Sequence, residues 1–313
     1  MKKILITGAD GFIGKALCEK FSEEGFYVIA LVLNKNNVAH TGKMPGIKII
    51  EADITKKGLV EKIAEDFDFC IHLAGISDVN IAEENPLLTR KVNVLGTKNI
   101  LQACAKLKCK GIIFASTNKV YGKIKKTAHE KSMLNGKTIY AKTKIRAEKE
   151  VRDFCKKNGL SAIIARQTNI YGRADLNIKR LIPATILSAI RNEQPKITSS
   201  PLSEINLLYV DDILDFYSKS IKYMEKHSRI ETLNVTSDNN YLVTGIMQLI
   251  MQMIGKCNAE KASMGKKIAS ISNKKAKKLL KWRPKTSLKK GLKKTIAWYK
   301  ANYKDVCTKP INN

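Results

Sequence analysis

No C-x-x-C pair occurs among the seven cysteines (Cys18, Cys70, Cys104, Cys109, Cys155, Cys257 and Cys307), and their number is odd. That excludes a secreted disulfide framework and argues for a reduced, cytoplasmic chain with no metal site. No run approaches the ~18 consecutive apolar residues of a membrane span, so no transmembrane segment is expected. Met1-Lys2-Lys3 and the apolar residues behind it imitate a signal peptide only as far as Asp10, too short a stretch to be one. Acids are scarce: 28 Asp and Glu stand against 57 Lys and Arg, a formal net charge of +29. Residues 256–300 alone hold 16 Lys and Arg against the single acid Glu260. Such a field would attract nucleic acid, an anionic membrane or a phosphorylated substrate. Aromatics make up only 6% of the chain and are not interleaved with these lysines, as a single-strand binding groove requires. A solvated, lysine-rich surface is the reading we favour.

What is present begins at residue 4. The apolar strand Ile4-Leu5-Ile6 leads into Thr7-Gly8-Ala9-Asp10-Gly11-Phe12-Ile13-Gly14, and an amphipathic helix follows with Leu17 and Phe21. Strand, glycine turn and helix start together form a cradle for a dinucleotide pyrophosphate. Gly8 permits the tight turn, Gly11 lets the backbone approach the phosphates, and Gly14 lets the helix pack on the sheet.

Further apolar runs at 26–33, 47–50, 68–74, 111–115 and 161–166 read as strands. Helical patterns lie between them at 12–24, 56–65, 86–108 and 137–157. Strand and helix alternate, so the economical fold is α/β, a doubly wound parallel sheet with right-handed crossovers. Beyond Gly172 the alternation weakens. A helix near 178–192, a loop around Ser199-Ser200-Pro201, short strands near 205–210 and 230–235, and helices at 211–225, 243–255 and 287–302 follow. With 313 residues and 44% hydrophobic content, the chain holds one large domain and an appended smaller one. The division expected is residues 1–172 for the dinucleotide and 173–313 for the substrate lobe, with part of 205–225 returning to the first.

The second signal is Tyr140-Ala141-Lys142-Thr143-Lys144. A tyrosine and a lysine four apart share a helix face. An ammonium at ~4 Å in a partly dry site supplies about 4 kcal/mol at an effective dielectric near 20. That is enough to bring a phenol of pKa ~10 toward neutrality and make it a general acid and base. Tyr121 and Lys125 have the same spacing, but a glycine and a loop follow Tyr121.

These stretches resemble the extended short-chain dehydrogenase/reductase family, specifically its NAD-dependent, nucleotide-sugar epimerase/dehydratase group. G-x-x-G-x-x-G with Thr7 before it is one landmark. Others are Ala52-Asp53-Ile54, His72-Leu73-Ala74-Gly75, Val92-Asn93-Val94-Leu95-Gly96-Thr97 and Phe114-Ala115-Ser116-Thr117-Asn118-Lys119-Val120-Tyr121-Gly122. Asn169-Ile170-Tyr171-Gly172, Tyr209-Val210-Asp211-Asp212, Leu280-Lys281-Trp282-Arg283-Pro284 and Ile296-Ala297-Trp298-Tyr299 complete them. The resemblance implies a Rossmann-like fold with a smaller C-terminal α/β lobe. It implies Thr117, Tyr140 and Lys144 as catalytic residues, with Ser116 as the alternative hydroxyl. It implies NAD or NADP held by Gly8, Asp10, Gly11, Phe12, Ile13, Gly14, Asn34, Lys35, Asp53, Ile54, Leu73, Ala74, Gly75, Asn93, Tyr140 and Lys144. Substrate contacts are implied for Ser77, Thr117, Asn118, Asn169, Arg173 and Arg180, and the substrate is a sugar nucleotide or related phosphorylated sugar. Arg166, within an apolar strand, is expected to satisfy a buried carboxylate or carbonyl.

Departures from the pattern narrow the chemistry. Relatives that dehydrate or decarboxylate place an acid after the catalytic hydroxyl; here Asn118 and Lys119 stand there. Epimerisation or carbonyl reduction is the expectation, against the alternative of a catalytically idle dinucleotide-binding protein that uses its basic tail on RNA or anionic membrane. The arginine that often grips the substrate diphosphate is replaced by Ile205. The second strand ends Leu33-Asn34-Lys35 without the acid that usually meets the ribose 2′-hydroxyl, and Lys35 would suit a 2′-phosphate. A homodimer is expected through the helices at 86–108 and 137–157, where Ile100, Leu101 and Cys104 on one and Ile145, Val151 and Phe154 on the other offer apolar surface at helical spacing.

Overall fold

The computed structural model of the chain describes residues 1–38, 44–63, 65–196, 203–256 and 270–308. Its strands are β1 (Lys3–Thr7), β2 (Tyr27–Val32), β3 (Ile47–Glu51), β4 (Phe69–His72), β5 (Gly111–Thr117), β6 (Ser161–Gln167), β7 (Asn169–Tyr171), β8 (Glu204–Tyr209), β9 (Ile230–Val235) and β10 (Asn240–Leu242). Seven of them form one sheet in the order β3-β2-β1-β4-β5-β6-β9, and every pairing in it is parallel. A three-stranded sheet, β10-β8-β7, carries one antiparallel and one parallel pairing.

The helices are α1 (Phe12–Glu23), α2 (Leu59–Ile63), α3 (Val79–Glu84), α4 (Pro86–Arg90), α5 (Thr97–Lys106), α6 (Ile139–Asn158), α7 (Leu181–Ile190), α8 (Val210–Met224), α9 (Val243–Ile254), α10 (Lys274–Leu280), α11 (Leu288–Ala301) and α12 (Tyr303–Thr308). The strands of the large sheet read as unbroken apolar runs because both of its faces are covered. Ile4, Ile6, Val28, Ala30 and Ile71 pack on one face with Leu17 and Phe21 of α1 and Phe216 of α8. Leu5, Ile29, Leu31, Cys70, Ile112 and Phe114 pack on the other with Ile100 and Cys104 of α5 and Val151 and Cys155 of α6.

Three expectations change. The pattern at 86–108 is not one α-helix, because a π-helical turn, Lys91–Gly96, separates α4 from α5. The chain also returns to the large sheet beyond 205–225, since Ile230–Val235 lies at its edge beside β6. Finally, Ile100, Leu101, Cys104 and Val151 do not offer an outer surface; they are sealed in the chain's own core. The exposed apolar side chains on these helices are instead Leu87, Leu88 and Leu95. Along α6 the outer face is charged, with Arg146 paired to Glu150 and Lys149 to Asp153.

Part of the basic C-terminal stretch is paired where it is described. Lys275, Lys277 and Lys294 bind Glu231, Asp238 and Asp211 at 2.7–3.0 Å. Residues 257–269 of that stretch, and Ser199, Ser200 and Pro201 of the expected loop, lie outside the described residues. Among the described residues no helix is long and apolar enough to cross a membrane.

The glycine turn is tightly packed against its own backbone. Gly8 has φ +66°, a left-handed conformation that favours glycine. A Cβ on Gly14 would lie 2.1 Å from the Gly8 carbonyl oxygen, whereas one on Gly11 would lie 3.2 Å from it. Gly14→Ala is therefore expected to destabilise the chain by about 1–3 kcal/mol. Gly11→Val, at an exposed cap, should cost less than half of that. Thermal unfolding of the two variants checks this.

Candidate active site

Helix α1 starts behind Gly11, which brings no side-chain cap. The first backbone N–H groups of α1 therefore stand at the C-terminal edge of the sheet, at the positive end of the helix dipole. Half-buried Asp10, Phe12 and Ile13 flank them. The facing wall is the end of β4 and the loop after it. Gly8 meets it so closely that a Cβ there would lie 2.8 Å from the Ala74 nitrogen. Leu73, Ala74 and Gly75 thus line the same edge as the glycine turn. These features fit a dinucleotide pyrophosphate.

A buried chain of hydrogen bonds sets that spacing. Ala74 N–H donates to Thr7 Oγ1 at 3.1 Å, and Thr7 Oγ1 lies 2.7 Å from His72 Nδ1. His72 Nε2 lies 3.0 Å from Thr97 Oγ1, whose own proton goes to the Asn93 carbonyl at 2.7 Å. Thr97 can therefore only accept from the ring, so the imidazole carries its proton on Nε2 and accepts from Thr7. Burial, with the Lys144 ammonium adding to it, holds the His72 pKa down to about 3. His72 is a structural, neutral histidine.

Asn93 sits in the π-helical turn and is spent on positioning. Its Oδ1 accepts from Ile76 N–H at 2.8 Å, and its Nδ2 donates to the Ile76 carbonyl at 3.0 Å and to Thr143 Oγ1 at 3.1 Å. The Thr143 hydroxyl donates to the Tyr140 carbonyl at 2.8 Å. Asn93 thus clamps the loop after β4 to the first turn of α6. That turn is capped by Thr138, which accepts from Ala141 N–H.

At the mouth of β2, Asn34 and Lys35 are exposed. Asn34 Oδ1 accepts from Asn36 N–H at 2.9 Å, and Lys35 N–H donates to Glu51 Oε2 at 3.2 Å. An acid does stand at this mouth, contributed by β3 rather than β2. Asp53 Oδ1 accepts from Thr55 N–H at 2.8 Å. Ile54 is buried and packs against Gly96, where a Cβ would lie 2.5 Å from its Cδ1.

Tyr140 and Lys144 are both buried on the first turns of α6, and Thr117 lies at the end of β5. The Tyr140 phenol lies beside the Thr117 hydroxyl, whose oxygen accepts from Lys119 N–H at 3.2 Å. One expectation is corrected here. Burial pushes the Tyr140 phenol up to about 12, opposed by the neighbouring Thr117 hydroxyl and then by the Arg180 charge. Lys144 is not what lowers it, because its ammonium is turned to the Ala115 carbonyl at 2.8 Å, 4.7 Å from the centre of the Phe114 ring. Burial holds Lys144 down to about 8, against the opposing charge of Glu148.

Ser116 is removed from the choice of hydroxyls, since it donates to Glu148 Oε1 at 2.5 Å. Arg166 meets the same carboxylate through Nε at 3.0 Å and Nη2 at 2.6 Å, the buried partner expected of it. Tyr121 belongs to this network and not to the reacting centre. Its hydroxyl donates to Asn234 Oδ1 at 2.6 Å and accepts from Arg166 Nη1 at 3.0 Å. Glu148 escaped the sequence reading, although its place four residues after Lys144 on an apolar helix face was a signal.

The residues implied for substrate lie around the same edge. Ser77 is exposed on the loop after β4. Asn118 Nδ2 donates to Thr168 Oγ1 at 3.3 Å, and Asn169 Nδ2 to the Asn206 carbonyl at 3.3 Å. Arg173 is half exposed and paired with Asp211 at 3.0 Å. Arg180 holds the buried carboxylate of Asp175 at 3.2 Å and is also the charge felt by Tyr140.

His72 provides a measurable consequence. Its folded pKa, about 3, lies below the unfolded ~6.5, so its stabilising contribution is complete above pH 6.5 and is lost as pH falls toward 3. Between pH 7.5 and pH 5 this single group should remove about 2 kcal/mol of unfolding free energy. Urea unfolding at both pH values, compared with His72→Gln, checks it; the variant should lack that portion of the acid sensitivity.

Comparisons with known proteins agree with this geometry. Over 311 residues the chain is 29% identical to a putative UDP-glucose 4-epimerase of Methanocaldococcus jannaschii, covering 96% of this chain and 99% of the relative. It is 25% identical to the dTDP-D-glucose 4,6-dehydratase of Homo sapiens, covering 96% and 91% of the two chains. The crystal structure of a UDP-glucose 4-epimerase from Thermotoga maritima, with UDP-glucose, superposes with a TM-score of 0.85 at 25% identity, covering 96% and 99%. Residues 4–236, from β1 through the last strand of the large sheet, match the model of one family. With its glycine cradle, Tyr140–Thr117 pair and fold all in place, this chain belongs to the NAD dependent epimerase/dehydratase family.

Proposed function

We propose that the chain is a nucleotide-sugar epimerase that uses NAD, with Tyr140 as its acid and base, Thr117 and Lys144 completing the centre, and the sugar bound between the large sheet and the C-terminal lobe. The observation that carries this reading is the buried Tyr140 phenol beside the Thr117 hydroxyl at the end of β5. A proton donor and a second hydroxyl are thereby aimed at one point.

Gly8, Gly11 and Gly14, with Asp10, Phe12 and Ile13, would hold the pyrophosphate. Asn34, Lys35, Asp53 and Ile54 would meet the adenosine half, and Leu73, Ala74, Gly75 and Asn93 would bound the nicotinamide half. When bound, the dinucleotide supplies the hydride acceptor and donor. The chain's own residues do the rest. As its phenolate, Tyr140 would take the proton of a sugar hydroxyl, and the phenol so formed would return it, while the Thr117 hydroxyl orients the reacting oxygen. Lys144, a cation one turn along α6, steadies the ribose side. Glu51 supports NAD over NADP, because its carboxylate beside Lys35 N–H would repel a 2′-phosphate and accept from a 2′-hydroxyl. Arg173 and Arg180 remain at the substrate side as cations for a phosphorylated sugar, each already oriented by an aspartate.

Dehydration is not part of the proposal. Asn118 and Lys119 occupy the positions after Thr117, and neither can serve as a second carboxylic acid. We also propose a homodimer, formed through the face bearing Leu87, Leu95 and Val94, ringed by Arg90, Lys91 and Lys98.

Three measurements test this. Tyr140→Phe should lower turnover of a UDP-hexose by at least about 100-fold while leaving NAD affinity within a few-fold; unchanged turnover would remove Tyr140 from the reaction. Incubation with dTDP-glucose should give no 4-keto-6-deoxy sugar by mass spectrometry. Light scattering at micromolar concentration in about 150 mM salt should report a dimer, and Leu87→Asp/Leu95→Asp should report a monomer.

A further inference from the structure

Among the described residues, Glu148 and Arg166 form the one ion pair with both side chains sealed inside, at 2% and 3% exposure and 2.6 Å apart. Burying two charges is costly, and a well-packed apolar pair often stabilises as much. The position of this pair suggests what it does. Glu148 lies on α6 one turn beyond Lys144, on the same face. Its Oε1 accepts from Ser116 Oγ at 2.5 Å, and Ser116 is the residue before Thr117. Ser116 and Arg166 stand opposite each other in the β5–β6 register. The carboxylate therefore joins the helix that carries Tyr140 and Lys144 to the strand end that carries Thr117. All three kinds of guanidinium nitrogen are used, because Arg166 Nη1 also donates to Tyr121 Oη and to the Glu130 carbonyl, each at 3.0 Å.

We propose that Glu148 is a positioning residue for the reaction, keeping Lys144 a cation inside the protein and fixing the strand end that presents Thr117. The proposal rests on the reading of Tyr140, Lys144 and Thr117 given above. The other groups around Lys144 offer it no negative charge. His72 on β4 is neutral, Tyr140 on α6 is a neutral phenol, and Asn93 of the π-helical turn is uncharged. β5 offers the Ala115 carbonyl and the Phe114 ring, and β6 offers the cation Arg166, beyond Glu148. Burial alone drives Lys144 toward its neutral form, and Glu148 is the charge that opposes it.

The test is Glu148→Gln, which keeps the shape and removes the charge. The alkaline limb of kcat should move about one pH unit lower. The 13Cε NMR titration of Lys144 in the full chain should move in parallel, independently of turnover. Because this variant leaves Arg166 without its carboxylate, Glu148→Gln/Arg166→Met, which buries no charge, is measured beside it. The double variant should shift in the same direction. An unmoved Lys144 titration in either folded variant overturns the proposal, and so does a moved titration with an unmoved kcat limb. Retained turnover in Tyr140→Phe would instead overturn the reading of the site, and would leave the Lys144 titration standing as measured.

Discussion

The neutral imidazole of His72 is the contact on which the rest of the site depends. It joins Thr7, at the end of the first strand, to Thr97, at the start of the helix behind the π-helical turn. Through Thr97 it reaches Asn93, and through Asn93 it reaches the first turn of α6. The glycine cradle and the acid–base helix lie far apart in sequence, yet five side chains hold them in one register. A charged imidazole would put two donors where the chain has one donor and one acceptor to satisfy. Neutrality is therefore a condition of the geometry as well as a result of burial.

Much of this was legible in the sequence, for identifiable reasons. Strands covered on both faces announce themselves as apolar runs, so the first six strands of the large sheet could be located. The seventh could be located but not assigned to its sheet, because six residues with partial alternation do not say which edge they join. Glycines at 8, 11 and 14 carry information because steric exclusion is absolute at short range. Tyr140 and Lys144 carry it because four residues make nearly one helical turn.

Other features were illegible because they depend on where side chains turn. Spacing gave Lys144 as the partner of the Tyr140 phenol, but its ammonium is bound to the Ala115 carbonyl. Ser116 and Thr117 are adjacent hydroxyls in sequence on opposite sides of the strand: pleating sends one to Glu148 and leaves the other on the side of Tyr140. The acid beside Lys35 at the end of β2 is Glu51 from the neighbouring strand, a placement across a sheet that no linear motif records. Ile100 and Leu101 have helical spacing whichever side they face, so only the packed sheet shows that they point inward.

The π-helical turn at Lys91–Gly96 has a consequence for how this chain can change. A turn closed by bonds five residues apart holds one residue more than an α-helical turn. Loss of any single residue there would restore a regular helix without breaking it, and the protein would keep its hydrophobic pattern on either side. What would change is the turn itself: the helix on either side would keep its phase, because the wider turn absorbs its extra residue, while the residues within the turn would shift. Asn93 would leave the loop it clamps. The clamp made by Asn93 therefore depends on the length of the chain through this turn as well as on the side chain itself.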